Sequence, residues 1–179
     1  MNVLALACLR LGRDDWVLEV GFGGGALLRK LLLGTRGEVF GVDVSEVLIA
    51  RARERFARDV RRGRLHLYQA SVEGLPLPPA TLARAVSVNS LYFWPDPAAA
   101  LAELARVVKP GGRLAIAFEP ADELRKWPGH RFGFRLFEVR EVKALMAAAG
   151  FERIDEHWGR GRKPDRFCCL SGERAGAIA

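Results

Sequence analysis

The segment VLEVGFGGG (Val17–Gly25) is followed about twenty residues later by VFGVD (Val39–Asp43). Each begins with an apolar run typical of a buried strand, and the first runs into a glycine-rich turn. Gly21 and Gly23 allow the backbone to turn tightly and to approach a ligand where a Cβ atom would clash. Asp43 lies 22 residues after Gly21, close to the spacing at which an acid accepts hydrogen bonds from ribose hydroxyls. The two segments predict the first βαβ unit of a nucleotide-binding α/β domain.

The glycine turn by itself does not choose the ligand. Gly21, Gly23 and Ala26 also fit the pattern G-x-G-x-x-[GA] of a dinucleotide site, where a helix N-terminus faces a pyrophosphate. Glu19 points to a different ligand, because a carboxylate beside the turn would repel a pyrophosphate and attract an ammonium or sulfonium group. In this respect Val17–Gly25 resembles the first motif of the class I S-adenosylmethionine-dependent methyltransferases, hh-[ED]-h-G-x-G-x-G, and matches it throughout.

Four later segments resemble further motifs of that family, in the same order. Ala70–Leu77 is similar to the third motif, usually D-A-E-x-L-P-[FL], and Ala85–Leu91 to the fourth strand and its loop. Leu101–Leu114 is close to the signature E-h-x-R-V-L-K-P-G-G, and Phe137–Ile154 resembles the final helix with its turn into strand six. The resemblance extends over about residues 17–167. It is nearest to the group that contains the ubiquinone and menaquinone C-methyltransferases.

The resemblance implies a Rossmann-like α/β fold, a doubly wound seven-stranded sheet of order 3-2-1-4-5-7-6 with strand 7 antiparallel. The alternation of apolar and helical segments along the chain agrees with it, and residues 1–179 are expected to form a single domain. Strands are expected at Trp16–Val20, Glu38–Val42, Leu65–Ala70, Ala85–Asn89, Arg113–Phe118, Phe151–Trp158 and Arg166–Ser171. Helices are expected at Val3–Leu11, from the glycine turn to Leu33, from a Ser45 cap to Arg62, and at Pro97–Val107 and Glu138–Ala149. A looser segment, Glu119–Leu136, and a polar hairpin turn, Gly159–Asp165, complete the prediction.

The resemblance also implies that the cofactor is S-adenosylmethionine, with S-adenosylhomocysteine as the product. Asp43 would accept hydrogen bonds from the ribose, Val44 would contact the adenine, and Glu19 would lie near the methionine end. Ser71 and Val72 lie where the family contacts the adenine amino group. The expected cofactor residues are Glu19, Gly21, Phe22, Gly23, Gly25, Asp43, Val44, Ser71, Val72, Asn89, Ser90 and Leu91.

The chain departs from the family pattern at two positions. Ser71 replaces the usual aspartate of the third motif, so that a hydroxyl takes the place of a charged contact to the adenine. Arg84 stands where many relatives have an aspartate, at a position that is usually structural. In addition, Asn89 is not followed by the Pro-Pro-[Tyr/Phe] pattern of amide and adenine N-methyltransferases, which argues against methylation of DNA bases.

The acceptor pocket is expected to form from the first helix, the aromatic loop Tyr92–Trp94 and the segment Glu119–Leu136. Its aromatic and apolar residues favour a small or amphiphilic organic acceptor. Methyl transfer to such a molecule depends on alignment more than on a strong base. If a base is needed, His130 is the first candidate and Tyr92 the second. His130 could instead be a surface histidine, and the rings of Tyr92–Trp94 could simply pack that loop onto the domain. No spacing of metal ligands stands out.

The net charge of +7 comes mainly from arginine, which supplies 23 of the 28 basic residues. Seven of the arginines fall between Arg51 and Arg64. They could form a basic face for nucleic acid, or an exposed helix with Glu54 and Asp59 giving local ion pairs. The scarcity of aromatic residues between them favours the second interpretation. An RNA- or protein-directed methyltransferase and a non-catalytic cofactor-binding protein remain the alternatives to a small-molecule enzyme.

The three cysteines do not suggest a disulfide framework. Cys168 and Cys169 are neighbours on an expected strand and would point to opposite faces of the sheet, while Cys8 lies far away in the sequence. No run approaches the roughly 20 apolar residues of a membrane-spanning helix, and Met1–Leu11 does not resemble a signal peptide. A cytoplasmic monomer or homodimer is therefore expected.

Overall fold

The computed structural model describes residues 1–161 and 166–176. Its helices are α1 (Asn2–Leu9), α2 (Ala26–Gly34), α3 (Glu46–Arg55), α4 (Ala57–Arg61), α5 (Pro97–Val107), α6 (Ala121–Leu124) and α7 (Val139–Ala148). Its strands are β1 (Val17–Val20), β2 (Val39–Asp43), β3 (Leu65–Gln69), β4 (Leu82–Val88), β5 (Val108–Phe118), β6 (Phe151–Arg160) and β7 (Arg166–Arg174). Short 3₁₀ turns occur at Leu91–Phe93 and Pro128–Arg131.

The seven strands form one sheet in the order β3-β2-β1-β4-β5-β7-β6. The first five strands are parallel to one another, and β7 is antiparallel to both β5 and β6. The predicted fold class and strand order are therefore confirmed. Because the parallel strands all point the same way, their carboxyl ends meet at one edge of the sheet. Between β1 and β4 the order of successive strands in the sheet reverses.

Helices cover both faces of the sheet and enclose two apolar cores. The core on one face contains Leu18 and Val20 together with side chains of α5 and α7. The core on the other face contains Val17 and side chains of α1, α2 and α3. Successive residues of a strand point to opposite faces, so Val17 and Leu18 enter different cores. The same alternation separates the neighbours Cys168 and Cys169, as predicted, and all three cysteines are free thiols.

Two helices begin at side-chain caps, of which Ser45 was predicted from the sequence. Ser45 Oγ accepts a hydrogen bond from the Leu48 amide at the start of α3, and Asp96 Oδ1 accepts bonds from the amides of Ala98 and Ala99 at the start of α5. The helix predicted to run from Ser45 to Arg62 is interrupted at Phe56, where the chain leaves helical geometry. The Phe56 ring is buried against Gly25, and this long-range contact fixes the break between α3 and α4.

Strand β4 is longer than predicted, and so is β5. Leu82 already pairs with Val108, and the register then shifts so that Arg84 pairs with Arg113. The four residues Lys109–Gly112 form the resulting irregularity in β5. They are the Lys-Pro-Gly-Gly part of the signature, and proline followed by glycines is also typical of a turn. At the other end of the sheet, β6 and β7 pair as an antiparallel hairpin up to Arg160 and Arg166. The predicted turn Gly159–Asp165 falls mostly on residues 162–165, which lie outside the described residues.

Candidate active site

A cavity of about 310 Å³ opens at the carboxyl edge of the sheet, above β1, β2 and β4. This is where ligands bind in open α/β sheets. The cavity is lined by the ends of these strands and by the loops that follow them. Its lining residues are Val20, Gly21, Gly23, Val42, Asp43, Val44, Leu48, Ala70, Ser71, Val72, Asn89, Ser90, Phe93, Trp94 and Pro95. We call it the cofactor cavity.

The glycine turn forms the floor of the cofactor cavity. Gly21 has a φ of +70° and lies so close to Ser90 that a Cβ atom would collide with that side chain. Gly23 has a φ of +50°, and no heavy atom lies within 4 Å of the place where its Cβ would be. A ligand can therefore approach the backbone at Gly23 directly, while Gly21 lets the turn pass beneath the Ser90 loop.

Asp43 ends β2 and faces the glycine turn across the cavity. Its Oδ2 atom accepts a hydrogen bond of 3.1 Å from the Gly23 amide, and its Oδ1 atom accepts one of 3.0 Å from the Ser45 amide. The side chain is thus held by backbone on both sides. Each carboxylate oxygen keeps a second lone pair, so that the group can still accept hydrogen bonds from two neighbouring hydroxyls.

Glu19 lies beneath the turn and is only 3% exposed. Its Oε2 atom has no hydrogen-bond partner among the residues that the structure describes. Burial raises the pKa of Glu19 well above its usual value, and the negative charge of Asp43 raises it further, while a backbone hydrogen bond from Leu28 opposes both. A buried carboxylate with a free oxygen fits a ligand that brings a positive charge.

Four of the expected cofactor residues do not line the cavity. Glu19 lies below it, and Gly25 precedes the first turn of α2 and packs against Phe56. The side chains of Phe22 and Leu91 are buried in the two apolar cores, on opposite faces of the sheet. The other expected residues reach the cavity wall: Gly21, Gly23, Asp43, Val44, Ser71, Val72, Asn89 and Ser90.

Several residues of the cavity wall were not expected from the sequence. Leu48, in the first turn of α3, and Pro95, after the aromatic loop, both line the cavity. Val20, Val42 and Ala70 also line it, and their positions at or next to the carboxyl ends of strands could have predicted this. Ser71, at the family's aspartate position, accepts a hydrogen bond of 3.4 Å from the Glu73 amide through its hydroxyl.

A second cavity, of about 290 Å³, adjoins the first. It is lined by Asn89, Tyr92, Phe93, Glu119, Leu124, Trp127 and Phe134, and Asn89 and Phe93 also line the cofactor cavity. As expected, the aromatic loop and the segment Glu119–Leu136 provide its walls. The first helix does not contribute, because α1 packs against β4, β5 and β7. We call this space the acceptor cavity.

Tyr92 and Glu119 form a hydrogen-bonded pair in the wall of the acceptor cavity. The Tyr92 hydroxyl lies 2.8 Å from Glu119 Oε2 and 3.2 Å from Asn89 Oδ1, and it accepts a bond from the Glu119 amide. Burial raises the pKa of Tyr92 strongly, and the Glu119 carboxylate raises it further. The hydroxyl therefore keeps its proton as a donor to Glu119, which does not support the expected role of Tyr92 as a base.

Glu119 is the functional candidate that the sequence analysis missed. It directly follows β5, so an acidic residue at the carboxyl end of a strand was the available signal. The other candidate base, His130, lines neither cavity. It lies in the turn Pro128–Arg131, where its Nδ1 atom is 2.6 Å from the Trp127 carbonyl oxygen.

The arginine-rich segment differs in detail from its prediction. Arg53 and Arg55 donate hydrogen bonds to the carbonyl oxygens of Leu67 and Gly24 instead of pairing with acids. The predicted ion pairs of Glu54 and Asp59 do not occur within residues 1–161 and 166–176. None of these arginines lines the cofactor or the acceptor cavity.

Two features are absent from the described part of the chain. It holds no group of three or more His, Cys, Asp and Glu side chains that could bind a metal ion. It also holds no helix long and apolar enough to cross a membrane.

Comparison with known proteins identifies the family. Residues 18–116 match a family model described as a methyltransferase domain. The chain is 31% identical to the uncharacterized methyltransferase YdaC of Bacillus subtilis, over 97% of its own length and 91% of that protein. It is 32% identical to the ubiquinone/menaquinone biosynthesis C-methyltransferase UbiE of a Marinomonas species, over 67% of this chain, but spans only about half (49%) of that relative.

The fold agrees with this relationship. The crystal structure of a putative methyltransferase from Bacillus halodurans superimposes with a TM-score of 0.80 and covers 98% of this chain and 99% of that one. At 15% identity, this likeness concerns the fold alone. The family match over residues 18–116 includes both the glycine turn and Asp43. In the structure the Gly23 amide donates a hydrogen bond to Asp43, so the two motifs lie next to each other. The chain belongs to the methyltransferase-domain family and is a class I S-adenosylmethionine-dependent methyltransferase.

Proposed function

We propose that the enzyme transfers a methyl group from S-adenosylmethionine to a small or amphiphilic organic acceptor. One observation carries this proposal: two cavities of about 310 and 290 Å³ share Asn89 and Phe93 as a common wall. Volumes of this size suit small molecules. A methyl donor in the first cavity would therefore meet an acceptor in the second at the Asn89–Phe93 boundary.

The residues of the cofactor cavity fit the donor along its whole length. Asp43 would accept hydrogen bonds from the two ribose hydroxyls, and Gly23 would allow the backbone to approach the ligand. Val44 and Leu48 would pack against the adenine, with Ser71 and the Val72 backbone facing its amino group. When bound, the cofactor supplies a methyl group activated by a sulfonium charge.

The methionine end of the donor carries the positive charges. Asn89 and Ser90, which line the cofactor cavity, would face this end, and the unpartnered Glu19 oxygen would attract it from beneath the glycine turn. Asn89 has a φ of +56°, a conformation that asparagine adopts more readily than most residues. This local geometry turns the chain sharply after β4 and brings both Asn89 and Phe93 to the boundary.

Binding of the cofactor is the first experiment. We expect S-adenosylmethionine and S-adenosylhomocysteine to bind with micromolar affinity in calorimetric titrations, and NAD not to bind. Asp43→Ala should weaken binding at least about 100-fold, because two charge-assisted hydrogen bonds are lost. Asp14→Ala, at an exposed aspartate outside both cavities, is the matched control and should bind like the wild type. Tight binding of NAD, or an unaffected Asp43→Ala variant, would contradict the proposal.

An RNA- or protein-directed enzyme is the second candidate. It is favoured by the exposed side chains of Arg51, Arg58, Arg61 and Arg62, which form no ion pair within the residues described. None of these arginines lines either cavity, which favours the small-molecule acceptor. The Ser71 departure is the only support for a non-catalytic cofactor-binding protein.

We also propose that residues 1–179 act as a single domain in the cytoplasm, as a monomer or homodimer. Support for a reducing compartment comes from Cys8, Cys168 and Cys169, which are all buried free thiols. Sedimentation analysis of the purified chain would decide between monomer and dimer.

A further inference from the structure

The acceptor cavity combines one carboxylate with several aromatic rings. Glu119 lies in the cavity wall and is partly exposed, and its Oε2 atom accepts a hydrogen bond from the Tyr92 hydroxyl. The Oε1 atom of Glu119 forms no hydrogen bond within residues 1–161 and 166–176, so it is free to meet a ligand. The second anchor of this carboxylate is its own amide, which donates to the Tyr92 oxygen. Glu119 is thus held in place while one of its oxygens stays available.

The wall of the acceptor cavity is negative overall. Glu119 and Tyr92 are its only ionisable lining residues, and no Lys, Arg or His of the described chain lines it. Tyr92 carries no charge, because its proton is held between its own oxygen and Glu119. A carboxylate or phosphate on the acceptor would therefore meet only a like charge here, whereas a cation would meet an opposite one.

Three aromatic rings line the same cavity as this carboxylate. The Phe134 ring lies 4.7 Å from the Phe93 ring and 5.3 Å from the Trp127 ring, both in edge-to-face contact. Phe93 is 56% exposed and Trp127 is 47% exposed. Much of both rings is therefore not used for packing within the chain. Ring faces attract cations as well as apolar bodies, so the same rings suit an organic ammonium ion.

We propose that the acceptor is an amine attached to an aromatic or apolar body, that it is methylated on nitrogen, and that Glu119 binds the ammonium form and takes its proton. The inference rests on the proposed function and specifies its substrate class. Phe93, Trp127 and Phe134 would hold the apolar body, and Glu119 Oε1 would face the nitrogen at the boundary with the cofactor cavity.

The proton and electron balance of this reaction is complete without a further reactant. The ammonium gives one proton to the Glu119 carboxylate, which frees the lone pair on nitrogen. The nitrogen then bonds to the transferred methyl carbon, while the carbon–sulfur bond breaks and its electron pair stays on sulfur. Glu119 returns its proton to solvent, and the N-methylammonium product carries the positive charge that sulfur has lost.

A matched set of acceptors tests the proposal on the full chain. Methyl incorporation from labelled S-adenosylmethionine is measured with phenethylamine, 4-ethylphenol, 2-phenylethanol and 3-phenylpropionate. Tyramine, which offers both an amine and a phenol, reports the site of transfer by mass spectrometry of the product. Calorimetry with phenethylamine and the S-adenosylhomocysteine-loaded protein measures acceptor binding without turnover.

We expect phenethylamine to bind and to be methylated, and tyramine to be methylated on nitrogen. Glu119→Gln should lower kcat/KM for the amine about 100-fold, the range expected for loss of a general base. Glu54→Gln, at an exposed glutamate outside both cavities, should have no effect. Glu119→Gln should bind S-adenosylhomocysteine like the wild type, which shows that the variant is folded.

Three results would overturn the inference. One is transfer to the phenol, alcohol or carboxylate in preference to the amine. Another is an unchanged kcat/KM in Glu119→Gln. The third is the absence of both phenethylamine binding and turnover in protein that binds S-adenosylhomocysteine. Failure to bind S-adenosylhomocysteine would instead contradict the proposed function, and with it the present inference, so that the two failures can be told apart.

Discussion

Glu19 is a single buried side chain that lowers the stability of the ligand-free protein. Its pKa is raised, chiefly by burial and also by Asp43, so its charged form is less favourable in the folded chain than in the unfolded chain. The neutral acid has no such disadvantage at low pH. The disadvantage grows as the pH rises above the usual pKa of a glutamate, and it reaches its full size above the raised pKa of the folded state. A cationic ligand would compensate for it.

We therefore expect Glu19→Gln to separate stability from binding. Without cofactor, the variant should match the wild type near pH 4 and gain thermal stability over it as the pH rises to 8. It should bind S-adenosylmethionine about tenfold more weakly, equivalent to ~1.4 kcal/mol, because the attraction of a buried negative charge beneath the cavity is lost. Thermal melts over this pH range and calorimetry measure the two effects, with the exposed Glu54→Gln as control. A variant less stable than the wild type at pH 8 would contradict the account.

The antiparallel end of the sheet is tied together by one buried arginine. Arg113 of β5 donates to Asp155 of β6 at 2.9 Å, to Glu173 and Ser171 of β7, and to the Cys8 carbonyl oxygen at the end of α1. Its side chain is only 4% exposed. Neighbouring strands and a helix therefore share a single polar centre, and its removal affects all of them at once.

Arg113→Met should lower the free energy of unfolding by roughly 3 kcal/mol, since it removes a buried side chain whose hydrogen bonds join β5 to α1, β6 and β7. Arg153→Met is the matched control, because exposed Arg153 also contacts Glu173 but should contribute less than about 1 kcal/mol. The Arg113 hydrogen bond lowers the pKa of Asp155, so this stabilisation is present above the usual aspartate pKa and is lost as the pH falls through the lowered value. Urea denaturation at pH 7 and pH 3 tests both expectations. Equal losses of unfolding free energy in Arg113→Met and Arg153→Met would refute them.

Strands and helices with strong local signals could be predicted from the sequence. β1 and β2 follow from apolar runs and a glycine turn, the start of α3 follows from the Ser45 cap, and family motifs placed the strands in order. The break at Phe56 could not be predicted, because it depends on packing against Gly25, 31 residues earlier. In the same way, motif position brought Phe22 and Leu91 into the expected site, whereas the three-dimensional packing buries their side chains in the cores.

The residues of the candidate site could likewise be predicted from local signals but not from long-range contacts. Asp43 and Gly21 could be expected at the cavity because their positions depend on backbone shape at the ends of adjacent strands. Glu119 was missed because its significance comes from Tyr92, 27 residues away, and from rings of the segment Glu119–Leu136, which has only short helical turns. Contacts between loops of this kind carry no sequence periodicity, so only the folded chain brings the acceptor cavity together.

The net charge of +7 gives the whole protein a general attraction for polyanions. The exposed arginines of α3 and α4 line neither cavity, so RNA bound there would not bring a base to the methyl donor. Few aromatic side chains accompany them, which leaves phosphate contacts as the main source of affinity. Such binding would be weak, independent of sequence and strongly sensitive to salt.

We expect a single-stranded RNA oligomer to bind only at low salt. If Arg58, Arg61 and Arg62 contact three phosphates, the affinity should fall about 20-fold between 50 and 200 mM NaCl, since each contact on a single strand contributes about 0.7 to the logarithmic slope. Replacing the three arginines by glutamine should remove most of this dependence and leave S-adenosylhomocysteine binding unchanged. Fluorescence anisotropy measures the binding, and labelled S-adenosylmethionine detects any transfer to RNA. Methyl incorporation into RNA that the triple variant abolishes would make nucleic acid the acceptor, and the arginines, not the aromatic cavity, would then select the substrate.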